Sequence, residues 1–261
     1  MAPMHHVRHG SGPPLVLLHG VGSEARVWSP VLDVLARTRD VIAVDLPGFG
    51  ASPPLACEPG IPALTDAVVE WLGSMGLAHP HVAGNSMGGA IALELARRGT
   101  VASATAVSPA GFWTDRERRF CQASLTNAVA IGRAAGEGFV RAVAATAAGR
   151  ALLLGQIVAR PSRLPADEAA RMVETAAAAP SFGAALRAFD AYRFGHGHEL
   201  RGVPVTVAWG RRDWLLIPRE GRRVPRLLPH AWMVWLERCG HVPMWDDPDA
   251  VARVLLEGSS R

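Results

Sequence analysis

His81-Val82-Ala83-Gly84-Asn85-Ser86-Met87-Gly88-Gly89-Ala90 is the stretch whose reading decides the fold. An apolar run leads into Gly84-Asn85-Ser86-Met87-Gly88, which fits the pattern Gly-x-Ser-x-Gly. Behind it, Ala90 to Arg98 is rich in helix formers and ends in a basic turn. The order is therefore strand, sharp turn, helix, the context in which a serine can be lifted above the end of a sheet. The reason is steric. A crowded, strained turn needs neighbours without side chains, and Gly84 and Gly88 supply them. The start of the helix offers free N–H groups to developing negative charge.

Working outward, apolar runs bounded by breakers recur at Leu15–Leu18, Val41–Val44, Ala102–Val107, Val203–Trp209 and Trp232–Leu236. Such runs mark strands buried on both faces. Met4 to His9 could add a short edge strand. Helices are expected over Trp28–Arg37, Ile61–Met75, Pro218–Leu228 and Pro248–Leu256. Alternation of strand and helix predicts an α/β protein with a mostly parallel central sheet flanked by helices. From about Phe112 to Leu200 strand runs cease, and alanine, arginine and leucine recur at helical spacing. Breaks are expected at Gly132, Gly149, Pro161, Pro165 and Pro180. The expected division is a core of residues 1–111 and 201–261, with residues 112–200 inserted as a helical cap.

Composition narrows the function classes. The chain has 261 residues, 49% hydrophobic and 19% charged, which excludes a disordered chain. All 27 basic residues are arginine, so no lysine is present for Schiff-base chemistry. The net charge of +4 is spread as scattered pairs, without a stripe that would track nucleic-acid phosphates. The three cysteines, Cys57, Cys121 and Cys239, are far apart and odd in number, as in reduced cytoplasmic proteins. The N-terminus lacks a secretory pattern, and the apolar stretch Ala142–Ala159 is too short and too polar for a membrane span.

The chain resembles the α/β-hydrolase fold family over nearly its whole length. The resemblance is carried by Leu17-Leu18-His19-Gly20, Asp45-Leu46-Pro47-Gly48-Phe49-Gly50-Ala51-Ser52, the Ser86 turn, Trp209-Gly210-Arg211-Arg212-Asp213, and Cys239-Gly240-His241-Val242-Pro243. The family order of nucleophile, acid and histidine is met by Ser86, Asp213 and His241. An imidazole near neutrality can take the proton that a serine hydroxyl must lose, and a carboxylate on its other nitrogen fixes the tautomer. Met87 would supply one oxyanion N–H. By resemblance the residue after His19-Gly20 supplies the second, which points to Val21, with Gly22 as the alternative.

The resemblance also implies no cofactor and no metal. His196, His198 and Glu199 lie close together, but no third ligand cluster accompanies them. His19 is expected to be structural, and Trp28, Trp113 and Trp214 to be core or pocket wall. Asp115, Asp246 and Asp247 are rivals for the acid, although Asp246 and Asp247 more naturally cap the last helix. Phe120, Phe139, Phe182 and Phe189 are candidate pocket residues, so an apolar acyl ester is the expected small-molecule partner. The first edge strand of the family is expected to be missing or very short.

The expected activity is a cytoplasmic serine hydrolase of small carboxylic esters. Gly-Asn-Ser-Met-Gly-Gly also resembles carbon–carbon bond hydrolases, although Val21-Gly22-Ser23-Glu24 and Val242 depart from their pattern. A low-turnover ligand binder on the same scaffold is the third reading.

Overall fold

A computed structural model describes residues 4–200 and 202–260. Seven strands form one sheet: β1 (His6–Gly10), β2 (Pro14–Leu18), β3 (Asp40–Val44), β4 (His81–Asn85), β5 (Ser103–Val107), β6 (Val205–Gly210) and β7 (Trp232–Leu236). Their order across the sheet is β1-β3-β2-β4-β5-β6-β7. Among the described residues only β1 is antiparallel, with His6 opposite Val44 and Gly10 opposite Asp40. The short edge strand at the N-terminus therefore forms, and every other pairing is parallel.

The alternation within each run builds two apolar layers. Leu15, Leu17, Val41 and Ala43 face α1 (Ser29–Leu35) and the last helix, meeting Trp28, Val31, Val251 and Leu255. Val16, Leu18, Ile42, Val44 and Val82 face α2 (Ile61–Ser74) and α3 (Met87–Arg97), meeting Leu64, Val68, Ile91 and Leu95. Both layers exclude water from the sheet, which is why these strands read as continuous apolar runs.

Between β5 and β6 the chain forms α4 (Asp115–Ala135), α5 (Glu137–Ala144), α6 (Ala147–Leu154), α7 (Ala166–Ala178) and α8 (Phe182–Ala188), with no strand among the described residues. Thr114 and Glu117 close a reciprocal cap on α4. Two expected breaks do not occur. Gly132 lies inside α4, where a Cβ would stand 3.0 Å from Val173, so its missing side chain makes room for α7. Gly149 lies inside α6, where a Cβ would stand 1.9 Å from the Val143 carbonyl oxygen. The break comes at Gly136, whose φ of 75° ends α4.

The helix expected over Pro218–Leu228 is divided into α9 (Pro218–Gly221) and α10 (Val224–Leu227). Pro225 has no N–H to offer the Gly221 carbonyl, which breaks the ladder there. The helix expected over Trp28–Arg37 starts as a 3-10 turn at Ala25–Trp28 before α1. The final helix, α11, spans Pro248–Gly258 and is capped by Asp247, whose carboxylate accepts the Ala250 N–H.

Candidate active site

The parallel strands β2, β4, β6 and β7 deliver their following loops to one rim of the sheet, where ligand sites of open α/β sheets collect. Ser86 follows β4 and carries φ 57° and ψ −115°, a conformation that costs on the order of 1–3 kcal/mol for a residue with a side chain. The turn holds because its neighbours are locked. The Ser86 N–H donates to the Val107 carbonyl at 2.9 Å, and the Ser86 carbonyl accepts from Ala90 at 3.0 Å and Ala110 at 3.1 Å. Side chains would not fit around it. A Cβ on Gly84 would stand 2.0 Å from the Gly88 carbonyl oxygen, and one on Gly88 2.2 Å from that of Leu18. Both are backbone collisions, which explains the glycines at these two positions.

Asp213 and His241 come together. His241 Nδ1 lies 2.8 Å from Asp213 Oδ2, with the two residues only 4% and 1% exposed. The other carboxylate oxygen, Oδ1, accepts the N–H groups of Leu215 and Leu216, each at 2.9 Å. The carboxylate is thus oriented by backbone on one side and the imidazole on the other. Asn85 ties this arrangement to the Ser86 turn. Its side-chain amide donates to the Val107 carbonyl at 3.1 Å and to the His241 carbonyl at 2.9 Å. The Ser86 hydroxyl makes no hydrogen bond to His241 among the described residues; such bonds often tighten only around a substrate.

The loop after β2 passes directly over the serine. A Cβ on Gly20 would stand 3.1 Å from Ser86 Cβ and 3.6 Å from its Oγ. His19 sets this loop. The Leu46 N–H donates to His19 Nε2 at 2.9 Å, so Nδ1 carries the proton and donates to the Gly20 carbonyl at 2.7 Å. Burial pushes the His19 imidazole pKa down, which keeps this tautomer neutral. With the Gly20 oxygen held by His19, the trans peptide turns the Val21 N–H the opposite way. Neither the Val21 nor the Met87 N–H donates to a protein acceptor among the described residues. Met87 opens α3, where such a free N–H is the rule.

Asp45 steadies the far end of the same loop, accepting from Ala25 N–H at 2.6 Å and Ala51 N–H at 2.9 Å. Helices α7 and α8 close over it. Arg26 pairs with Glu168, and a Cβ on Gly22 would stand 2.9 Å from the Phe182 ring and 3.2 Å from Ala176. Ser181 N–H donates to the Gly48 carbonyl at 3.2 Å.

Several sequence expectations are revised. Phe120 and Phe139 are exposed, at 51% and 63%, whereas Phe182 and Phe189 are buried. Trp28 and Trp113 are buried in the core, but Trp214 is 65% exposed and lies outside it. Asp246 does not cap α11; only Asp247 does. Asp115 is exposed and pairs with Arg193 and Arg118. Glu199 pairs with Arg97 and His196. No group of three or more metal-ligating side chains occurs among the described residues. Sequence reasoning missed two residues. Asn85 had a signal, a polar side chain closing an apolar strand. Asp246, read only as a rival acid or helix cap, had none for its observed role, because two of its three N–H donors, Ala159 and Arg160, lie 87 and 86 residues away in the chain.

A mostly parallel sheet with a serine on a strained strand-to-helix turn, and a histidine–aspartate pair on the same rim, defines the α/β-hydrolase class. The chain belongs to the alpha/beta hydrolase family, whose model matches residues 15–254. It is 29% identical over 251 residues to the dihydrolipoyllysine-residue acetyltransferase component of the acetoin cleaving system of Pseudomonas putida, covering 94% of this chain and 63% of that protein. The chain thus spans less than two thirds of that relative. It is 37% identical over 87 residues to the (E)-2-((N-methylformamido)methylene)succinate hydrolase of Acinetobacter baylyi, 33% of each chain. The crystal structure of a membrane phospholipase A superposes with a TM-score of 0.77 at 27% identity, covering 100% of this chain and 87% of that one. No helix among the described residues is long and apolar enough to cross a membrane.

Proposed function

We propose that the protein is a cofactor-free serine hydrolase that cleaves a small carboxylic ester through a covalent acyl-enzyme. The observation that carries this reading is the buried His241–Asp213 pair at 2.8 Å beside the strained Ser86 turn. Asp213 holds the proton on His241 Nδ1, leaving Nε2 free to take the Ser86 hydroxyl proton as Oγ attacks the ester carbonyl. The carbonyl oxygen becomes an oxyanion beside the N–H groups of Val21 and Met87, a contribution of about 3 kcal/mol per donor in such sites. His241 passes its proton to the departing alcohol. Water then repeats the sequence on the acyl-enzyme, releasing the acid and restoring Ser86.

Residues 112–200 act in this reading as a cap that shapes the acyl pocket, with Phe182 and Ala176 against the loop of Val21 and Gly22. These apolar walls favour uncharged acyl groups. The resemblance to a phospholipase at 27% identity supports ester chemistry. The free thiols of Cys57, Cys121 and Cys239 fit a reducing cytoplasm.

Incubation with an organophosphonate should add one covalent mass on Ser86, and Ser86→Ala should abolish both labelling and turnover of a chromogenic ester panel. Labelling at another serine refutes the assignment. Turnover of a vinylogous diketone without ester turnover would move the reading to carbon–carbon cleavage. Thermal stabilisation by a ligand with no adduct would move it to a binder.

A further inference from the structure

Asp246 stands five residues beyond His241 and is buried. Its carboxylate accepts three backbone N–H groups. Oδ2 takes Gly240 at 2.8 Å and Ala159 at 3.0 Å, and Oδ1 takes Arg160 at 2.8 Å. The Arg160 guanidinium returns to the Asp246 carbonyl at 2.5 Å. Gly240 immediately precedes His241, whereas Ala159 and Arg160 belong to the connection between α6 and α7. On the other flank of His241, the Val242 N–H donates to the Ile157 carbonyl at 2.9 Å. The same short stretch, 157–160, therefore grips the chain on both sides of the histidine. The approach is too close for a side chain: a Cβ on Gly240 would stand 2.8 Å from the Ile157 oxygen and 2.9 Å from the Ala159 nitrogen.

We infer that Asp246 is a positioning residue that joins the connection 157–160 to the histidine loop and thereby sets the aim of His241 between Asp213 and Ser86. This rests on the reading of His241 as the general base. A carboxylate suits the task because both oxygens accept and neither donates. Three N–H groups converge from two segments far apart in sequence, and a buried donor without an acceptor is costly. A shift of the Gly240–His241 backbone would be passed straight to the imidazole, and reacting groups displaced by about 1 Å lose on the order of a hundredfold in rate. The cap is then part of the catalytic geometry: its connecting segment holds the base from both sides.

Asp246→Asn tests this. One carboxylate oxygen becomes an NH2 donor, so either Arg160 or the pair Gly240 and Ala159 loses its acceptor. Asp247→Ala is the control, because it removes the α11 cap without touching Gly240. We expect Asp246→Asn to lower kcat and the rate of organophosphonate labelling at Ser86 by about tenfold or more, with KM within about threefold. The low-field proton resonance of His241 Nδ1 should broaden or vanish. Asp247→Ala should lower Tm and leave kcat within about twofold. If Asp246→Asn does not fold, Gly240→Ala pushes the same segments apart and should produce the same loss. Unchanged kcat and labelling in Asp246→Asn, or an equal loss in Asp247→Ala, overturns the inference. Wild-type protein that never labels at Ser86 overturns the proposed function instead, and the His241 resonance still reports whether Asp246 positions the imidazole.

Discussion

Replacing Asp213, the proposed triad acid, with asparagine separates the chemistry of that carboxylate from its shape. In the native site Oδ1 accepts two backbone N–H groups, from Leu215 and Leu216, and Oδ2 faces His241 Nδ1. Asparagine has one oxygen and one NH2 to place in these two positions. With the oxygen on the backbone side, the NH2 points at Nδ1, which must then accept. The ring proton moves to Nε2, and the imidazole can no longer take the Ser86 proton. With the amide flipped, the tautomer is restored, but two buried N–H groups face a donor. Each such loss costs roughly 1–3 kcal/mol, so the competent orientation lies about 2–6 kcal/mol higher. At 1.36 kcal/mol per tenfold, that is a fall of roughly thirtyfold to twenty-five-thousandfold in kcat. The serine-protease triad loses about 10⁴ on the equivalent change, at the upper end of the range. The assay is kcat and KM for the best chromogenic ester of the panel, with Tm measured alongside. We expect at least about a hundredfold loss in kcat with the fold intact. A variant within about tenfold of wild type would refute the tautomer argument, and a collapse on Asp115→Asn instead would move the acid to another strand.

Two further outcomes concern buried carboxyls outside the proposed triad. Glu220 is buried, its Oε2 has no hydrogen-bond partner among the described residues, and burial, reinforced by Glu117 and Asp213, pushes its pKa up to about 9. The folded state therefore keeps a proton that the unfolded chain releases near 4.5, and stability falls as pH rises from there towards 9. Glu220→Gln should flatten that decline in Tm; parallel Tm curves for both proteins would contradict it. Glu117 is the opposite case. Burial acts to raise its pKa, but Arg223, the Thr114 N–H and hydroxyl, and Arg219 together hold it down to about 2. Its contribution is present above the unfolded value of 4.5 and is lost as pH falls towards 2. With Arg219 exposed and screened, Glu117→Gln should cost about 1–2 kcal/mol at neutral pH. Denaturant unfolding should show that difference vanishing in acid; a difference that persists at low pH would mean packing, not charge, is lost.

The fold class and the rim of the site were legible in the residues themselves. Apolar runs of strand length report burial on both faces, because a parallel sheet covered by helices exposes neither. The glycines around Ser86 report close backbone approach, which the 2.0 Å and 2.2 Å collisions at Gly84 and Gly88 express in distance. The first break after α4 was misread because a glycine in sequence does not say whether its missing side chain ends a helix or admits a neighbour. Gly136 does the first through a positive φ, and Gly132 does the second for Val173. Likewise, Pro248 after two aspartates signals a helix start but not which carboxylate caps it. Asp247 takes the cap, and Asp246 turns towards Gly240, Ala159 and Arg160. The tautomer of His19 and the second oxygen of Asp213 were settled in the same way, by N–H groups of Leu46, Leu215 and Leu216. Local chemistry, such as turn strain, strand periodicity and helix caps, is written within a few neighbouring residues and can be read from them. Which donor meets a given buried acceptor depends on segments distant in the chain, and only the packed tertiary structure brings them within about 3 Å.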